Sequence, residues 1–215
     1  MTRSVAEEWE RVTACEIIEG YGLTECSPVI TVNIPGAIKL GTVGPVVPET
    51  EIRIVDDEGV DVPKGEKGEL WVRGPQVMLG YWQQQQATAA TITADGWLKT
   101  GDYVQIDEDD YLSIVDRKKG MILVSGFNVF PNEIEGWVSR HPDVLECAII
   151  GVEYERTGES VKLFVVSSGG DIAEEELIAH CKKGLAAYKI PREIIFVANL
   201  PKSNIGKILR RELRE

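Results

Sequence analysis

The chain has 215 residues, 43% hydrophobic and 27% charged, with 23 Lys and Arg against 35 Asp and Glu and a formal net charge of −12. That length buries a real core in one large domain or two small ones. The acidic balance repels nucleic acid phosphates and anionic lipid unless basic residues are gathered in one place, and they are partly gathered in the C-terminal "KILRRELRE". Four cysteines (Cys15, Cys26, Cys147, Cys181) and two histidines (His141, His180) lie far apart without metal-ligand spacing, which argues against a zinc site and for free thiols in a reducing cytosol. "MTRSVAEEWE" lacks the apolar core of a signal peptide, and no apolar run is long enough to span a bilayer, so a soluble intracellular protein without nucleic acid partners is expected.

In chain order, Val5, Trp9 and Val12 recur at helical spacing and predict a short amphipathic helix. "CEII" reads as a strand leading into the glycine-rich turn "GYGLTECSP" at 20–28. From Gly36 to Val115 the pattern is short strands between turn signals: "TEIRIVDDEG", turning at Asp57-Glu58-Gly59, then "GELWVRG" and "YLSIVD". Together these predict a small β-barrel or twisted sheet. The run Gln83–Gln86 is an exposed linker or a helix start.

"DRKKG" separates two hydrophobic systems, which sets a boundary between 1–116 and 117–215. Beyond it, "MILVSGFNV" predicts two short strands about a turn at Ser125-Gly126. "PNEIEGWVSRHP" is a helix with Pro131 at its first position and His141-Pro142 as its stop. Two buried strands ("VLECAIIGV", "VKLFVVS"), a helix ("AEEELIAHCKKGL") and a strand ("EIIFV") complete a compact α+β unit of about 100 residues.

Neither GxxxxGK[ST] nor GxGxxG occurs, so a phosphate site must be assembled from other parts. The turn at 20–28 supplies two glycines for close backbone approach, the flat ring of Tyr21, the hydroxyl of Thr24 and the carboxylate of Glu25. That set suits a base, a phosphate and a magnesium ion, although on its own it reads first as an ordinary loop leaving a strand. Asp102 in "WLKTGDYV" is either a ribose-binding carboxylate or a turn aspartate. Arg117 is either a ribose or phosphate contact or part of a solvated linker. Lys207, after Gly206 in a polar loop that opens a final helix, is either a mobile cation bridging carboxylate and phosphate or a surface lysine.

The order of these clusters carries more than any one of them. Tyr-Gly-x-Thr-Glu, Gly-Glu-Leu-x-Val-x-Gly, Thr-Gly-Asp, Asp-Arg-x-Lys and Pro-Lys-Ser-x-x-Gly-Lys follow one another from about Cys15 to the C-terminus. This series resembles the adenylate-forming (AMP-binding) superfamily of acyl-CoA synthetases, luciferases and peptide synthetase adenylation domains. "EGYGLTE", "GPQVMLGYW", "RKKGMILVSGFNVFPNEIE" and "LPKSNIGKILRREL" most resemble bacterial long-chain fatty acid–CoA ligases.

The resemblance implies a mixed α/β, α+β architecture. A β-barrel-like subdomain from the end of a large domain (1–116) would be followed by a small, mobile α+β C-terminal domain (117–215). It implies ATP, CoA and a fatty acid as substrates, with magnesium: the acid is joined to AMP, then passed to the CoA thiol. Tyr21 would stack on adenine beside Gly22, Thr24 would bind the α-phosphate and Glu25 would hold magnesium. Asp102 and Arg117 would take the ribose, Lys207 would serve the first step, and Lys119 would be the hinge. Ser125, Gly126 and Phe127 would border the adenylate and the CoA channel.

Two departures stand out. Gly120 replaces an acidic residue usual in relatives, and most of the large domain, with its Ser/Thr/Gly-rich phosphate loop, is missing from the chain. The expectation is therefore the C-terminal part of a ligase, inactive alone. A different acyl- or aryl-CoA synthetase, or a non-catalytic nucleotide- or CoA-binding or interaction module, are the alternatives. Self-association into a homodimer through apolar surface, and peripheral contact with the inner face of the membrane in a longer enzyme, stay open.

Overall fold

The computed structural model describes residues 3–170, 172–204 and 206–214. The chain forms two compact units, residues 1–118 and 119–215.

The first unit opens with α1 (Arg3–Thr13), followed by β1 (Gly20–Gly22) paired antiparallel to β2 (Val29–Val32), with Tyr21 opposite Thr31. A four-stranded antiparallel sheet follows from β3 (Glu51–Val55), β4 (Lys67–Arg73), β5 (Leu98–Ile106) and β6 (Leu112–Arg117), in that order; α2 (Gln85–Thr91) precedes β5. The glutamine run is thus the start of a helix. β3 and β6 are the outer strands, and the sheet does not close into a barrel. Its core gathers Leu70, Val72, Leu98, Val104 and Leu112 with Cys26 and Ile30.

Three sequence expectations differ locally. Residues of "CEII" form no strand: Ile18 is exposed, and the ladder begins only at Gly20, opposite Val32. Because Tyr21 lies on β1, the expected single turn is a strand followed by a 3₁₀ turn at Thr24–Cys26. Asp102 belongs to no turn; it lies within β5, which runs through Thr100-Gly101-Asp102 as an irregular stretch, with Gly101 at φ +70°.

In the second unit, β7 (Ile122–Val124) and β8 (Phe127–Val129) form a hairpin whose two turn residues, Ser125 and Gly126, both have positive φ (51° and 82°). Two left-handed residues are what a two-residue hairpin turn requires, and they suit the twist of the strands. Then come α3 (Pro131–Val138), β9 (Val144–Tyr154), β10 (Gly158–Ser167), α4 (Glu174–Lys182) and β11 (Glu193–Phe196). β10 pairs antiparallel with β9 and parallel with β11, the helical crossover between β10 and β11 permitting the parallel pairing.

Alternation along β9 and β10 explains their nearly continuous apolar sequences. Cys147, Ile149, Val161, Leu163 and Val165 face a core closed by Ile134 and Val138 of α3 and Leu177 and Cys181 of α4. Ala148, Ile150, Phe164 and Val166 point the other way, where Leu200, Ile208 and Leu213 cover them. Trp137 Nε1 donates to the His180 carbonyl at 3.0 Å and ties α3 to α4. The expected C-terminal helix is only a 3₁₀ turn, Arg210–Leu213. All four cysteines are free thiols, and no described helix is long and apolar enough to cross a membrane.

Candidate functional site

In the first unit, two of the residues singled out above converge on the carboxylate of a third. Tyr21 Oη donates to Asp102 Oδ2 at 2.6 Å, and Arg117 Nε lies 3.3 Å from Oδ1. Topology causes the meeting: Arg117 is the cross-strand partner of Asp102 on β6, and the β1–β2 hairpin brings in a ring from 81 residues away. Asp102 is buried whereas the Arg117 side chain is 70% exposed, so the carboxylate is fixed and the guanidinium is free to reorient. Burial first, then the hydrogen bond and charge of Asp102, push the Tyr21 phenol well above its ordinary range, so it remains a neutral donor.

Thr24 is exposed and Glu25 half-buried on the 3₁₀ turn beyond β1. Gly22 is required there by close approach, since a Cβ would lie 1.6 Å from the Pro28 carbonyl oxygen. Glu25 Oε1 accepts from Tyr81 Oη at 2.9 Å, and its carbonyl accepts from Met78 N at 2.8 Å. Tyr81 went unassigned in the sequence although "GPQVMLGYW" contains it; only the fold brings it to a residue 56 positions earlier. Burial, then the Glu25 carboxylate, push the Tyr81 phenol up. No group of three or more His, Cys, Asp or Glu among the described residues could cage a metal ion. Glu25 instead offers a single carboxylate with one oxygen already bonded. This fits magnesium, which keeps several waters and takes few protein ligands when substrate phosphates supply the rest.

The remaining expected residues belong to the second unit or to its start. Lys119 is exposed in a 3₁₀ turn, Lys118–Gly120. Ser125 N donates to the Thr157 carbonyl at 2.8 Å, which anchors the hairpin tip, and Gly126 has open space at its Cβ position. Phe127 is half exposed and stacks on Tyr188, with centroids 4.6 Å apart and planes 16° from parallel. Lys207 is exposed on a tight loop: Ser203 N donates to its carbonyl at 2.8 Å, and its own N–H donates to Ser203 Oγ at 3.1 Å. Ile205 of that motif lies outside the described residues. The loop is rooted on its far side by Arg210, whose guanidinium reaches Glu135 at 2.7 Å.

Two family models match this chain: AMP-binding enzyme over residues 1–82, and AMP-binding enzyme C-terminal domain over 133–207. A long-chain-fatty-acid–CoA ligase of Yersinia pestis is 57% identical over 99% of the chain, and one of Escherichia coli is 54% identical over 98%. The chain spans 38% of the length of each of these relatives. Among solved structures, ATP-bound MatB from Rhodopseudomonas palustris superposes with a TM-score of 0.90 at 36% identity, over 98% of this chain and 42% of that one. With both models matched in order, and more than half of its residues shared with these ligases, the chain belongs to the adenylate-forming family of AMP-binding enzymes.

Proposed function

We propose that the chain is the C-terminal portion of an ATP-dependent long-chain fatty acid–CoA ligase, which activates a fatty acid as its adenylate and transfers the acyl group to CoA. The observation that carries this reading is the convergence of Tyr21 and Arg117 on the buried carboxylate of Asp102. A fixed anion beside a mobile guanidinium is suited to vicinal hydroxyls, which need an acceptor, next to a phosphate, which needs a cation. Asp102 accordingly takes the ribose hydroxyls, Arg117 supports ribose and phosphate, and the Tyr21 ring, above Gly22, is the adenine face.

Thr24 donates to the α-phosphate, and Glu25, whose carboxylate accepts from Tyr81, would hold magnesium, which would supply neutralisation of phosphate charge. Lys207 brings a mobile cation to the meeting of two anions, carboxylate and α-phosphate, where it is worth most in the transition state. Ser125, Gly126 and Phe127 form the lip along which the pantetheine arm of CoA enters, the bare Gly126 leaving it room. Residues 117–215 form the mobile small domain, pivoting at Lys119, and 1–116 the last segment of the large one; the division into compact units after Lys118 supports that reading.

The test uses palmitate, ATP, magnesium and CoA. A ligase containing this chain forms palmitoyl-CoA, whereas the 215-residue chain alone releases no pyrophosphate above a no-protein control, because it lacks a grip on the β- and γ-phosphates. Pyrophosphate release by the chain alone would contradict this. Turnover of aromatic in preference to long-chain acids would move the assignment to an aryl-CoA synthetase.

A further inference from the structure

The Gly-Glu-Leu motif of β4 has no part in the function described so far, yet it places a buried carboxylate, Glu69, within hydrogen-bond reach of Gly101, the residue before Asp102. On β4, Glu69 pairs with Tyr103 and Trp71 with Lys99, so Thr100, Gly101 and Asp102 of β5 together face Leu70 alone. A strand that bulges in this way loses ladder hydrogen bonds and needs other partners to hold one shape. Side chains supply them. Thr100 Oγ1 donates to the Leu70 carbonyl at 2.8 Å, Asp102 N donates to Thr100 Oγ1 at 3.1 Å, and Gly101 N donates to Glu69 Oε1 at 3.3 Å.

The other oxygen of Glu69 accepts from Lys118 Nζ at 2.9 Å, and Lys118 also lies 3.2 Å from Asp57 Oδ1. A buried carboxylate is costly unless paired and hydrogen-bonded, and Glu69 is both. A neutral acceptor would satisfy the Gly101 N–H, but a charged one holds it more strongly. Among the described residues, the Glu69 carboxylate accepts from Gly101 in the bulge and from Lys118, the final residue of the first unit, and not from Tyr21 or Arg117.

We propose that Glu69 is a positioning residue for Asp102, its carboxylate replacing the ladder partner that Gly101 lacks and so fixing the bulge that aims Asp102 at the ribose hydroxyls. This rests on the reading of Asp102 as the ribose partner. Lys118 completes the device by balancing the Glu69 charge from the end of β6, the strand that also carries Arg117.

The experiment is an NMR titration of the 215-residue chain with AMP and with 2′,3′-dideoxy-AMP, whose affinity ratio reads hydroxyl recognition separately from adenine and phosphate binding. The wild type prefers AMP. Glu69→Ala lowers that preference about tenfold, the scale of one charge-assisted hydrogen bond, and Glu69→Gln, which keeps shape and an acceptor, lowers it about threefold. A merely structural loss would weaken both nucleotides alike and leave the ratio unchanged. An unchanged ratio in a folded Glu69→Ala chain overturns the proposal; should that variant not fold, an unchanged ratio in Glu69→Gln does so. A wild type that binds AMP without preferring it over the dideoxy form overturns the ribose reading itself, and the positioning role with it.

Discussion

In residues 119–215, β9 and β10 are covered on both faces, by α3 and α4 on one side and by the segment carrying Leu200, Ile208 and Leu213 on the other. Residues 3–118 leave much more apolar surface in solvent: Val5, Trp9 and Val12 along α1, Val29 and Val32 on β2, and Leu79 and Trp82 beside Tyr81 are all exposed. Yet it is this less covered unit that holds its polar groups most firmly, with Asp102 and Glu69 buried and bonded. In the second unit the central strands are covered on both faces, while its functional candidates, Lys207 and the Ser125-Gly126 tip, stand on exposed turns. On the function proposed above, the contrast separates two tasks. A binding carboxylate must be immobile to recognise hydroxyls, and a cation that serves one step and then withdraws must be carried on a rigid body that moves as a whole.

The largest expected effect tests that division of labour in a ligase containing this chain. Lys207→Ala slows ATP–pyrophosphate exchange by about 10²–10³, the usual loss of one preorganised electrostatic contact. It leaves the reaction of synthetic acyl-adenylate with CoA nearly unchanged. Substituting a bulky residue at Gly126 does the reverse. Equal losses in both assays for Lys207→Ala would break the comparison.

Packing gives the next effect. Leu163→Ala, at a fully buried position, destabilises the chain by about 2–5 kcal/mol in urea unfolding. Val12→Ala, on the exposed face of α1, stays within about 0.5 kcal/mol. Limited proteolysis accordingly removes the first unit before the second, and the exposed α1 face favours self-association at high concentration. Early cleavage within β9 or β10 would contradict this order.

A smaller effect depends on pH. Burial, then the hydrogen bond to Asp57, push the Tyr103 phenol up to about 12 from an ordinary 10. The fold favours the neutral form, so this contribution is whole below about pH 10 and is lost as the pH rises towards about 12. Thermal melts across that range should fall less steeply for Tyr103→Phe than for the wild type.

Most of the fold was legible in the sequence because its strands are either alternating (β3, β6) or doubly buried (β9, β10), and both patterns survive in one dimension. β5 was not read as a strand, since Thr100-Gly101-Asp102 carries the signature of a turn and the fold uses it as a bulge inside a strand. For the same reason Asp102 alone looked like a turn residue. Tyr21, Asp102 and Arg117 could be grouped only through the order of their motifs; their meeting depends on cross-strand register, which sequence spacing does not reveal. Tyr81, Glu69 and Lys118 act through partners on other strands or loops, and no local pattern announces them.

The most direct measurement of the central claim is the affinity of this chain for AMP with Asp102 intact and with Asp102→Asn. The substitution keeps the shape but removes the charge that Arg117 faces and turns one of the two acceptor oxygens, the pair proposed for the ribose hydroxyls, into a donor. A loss of at least about tenfold is expected, with backbone shifts on AMP addition confined to the neighbourhood of Tyr21, Asp102 and Arg117. Equal affinity of the two proteins, or shifts centred on β9 and β10, would contradict the account.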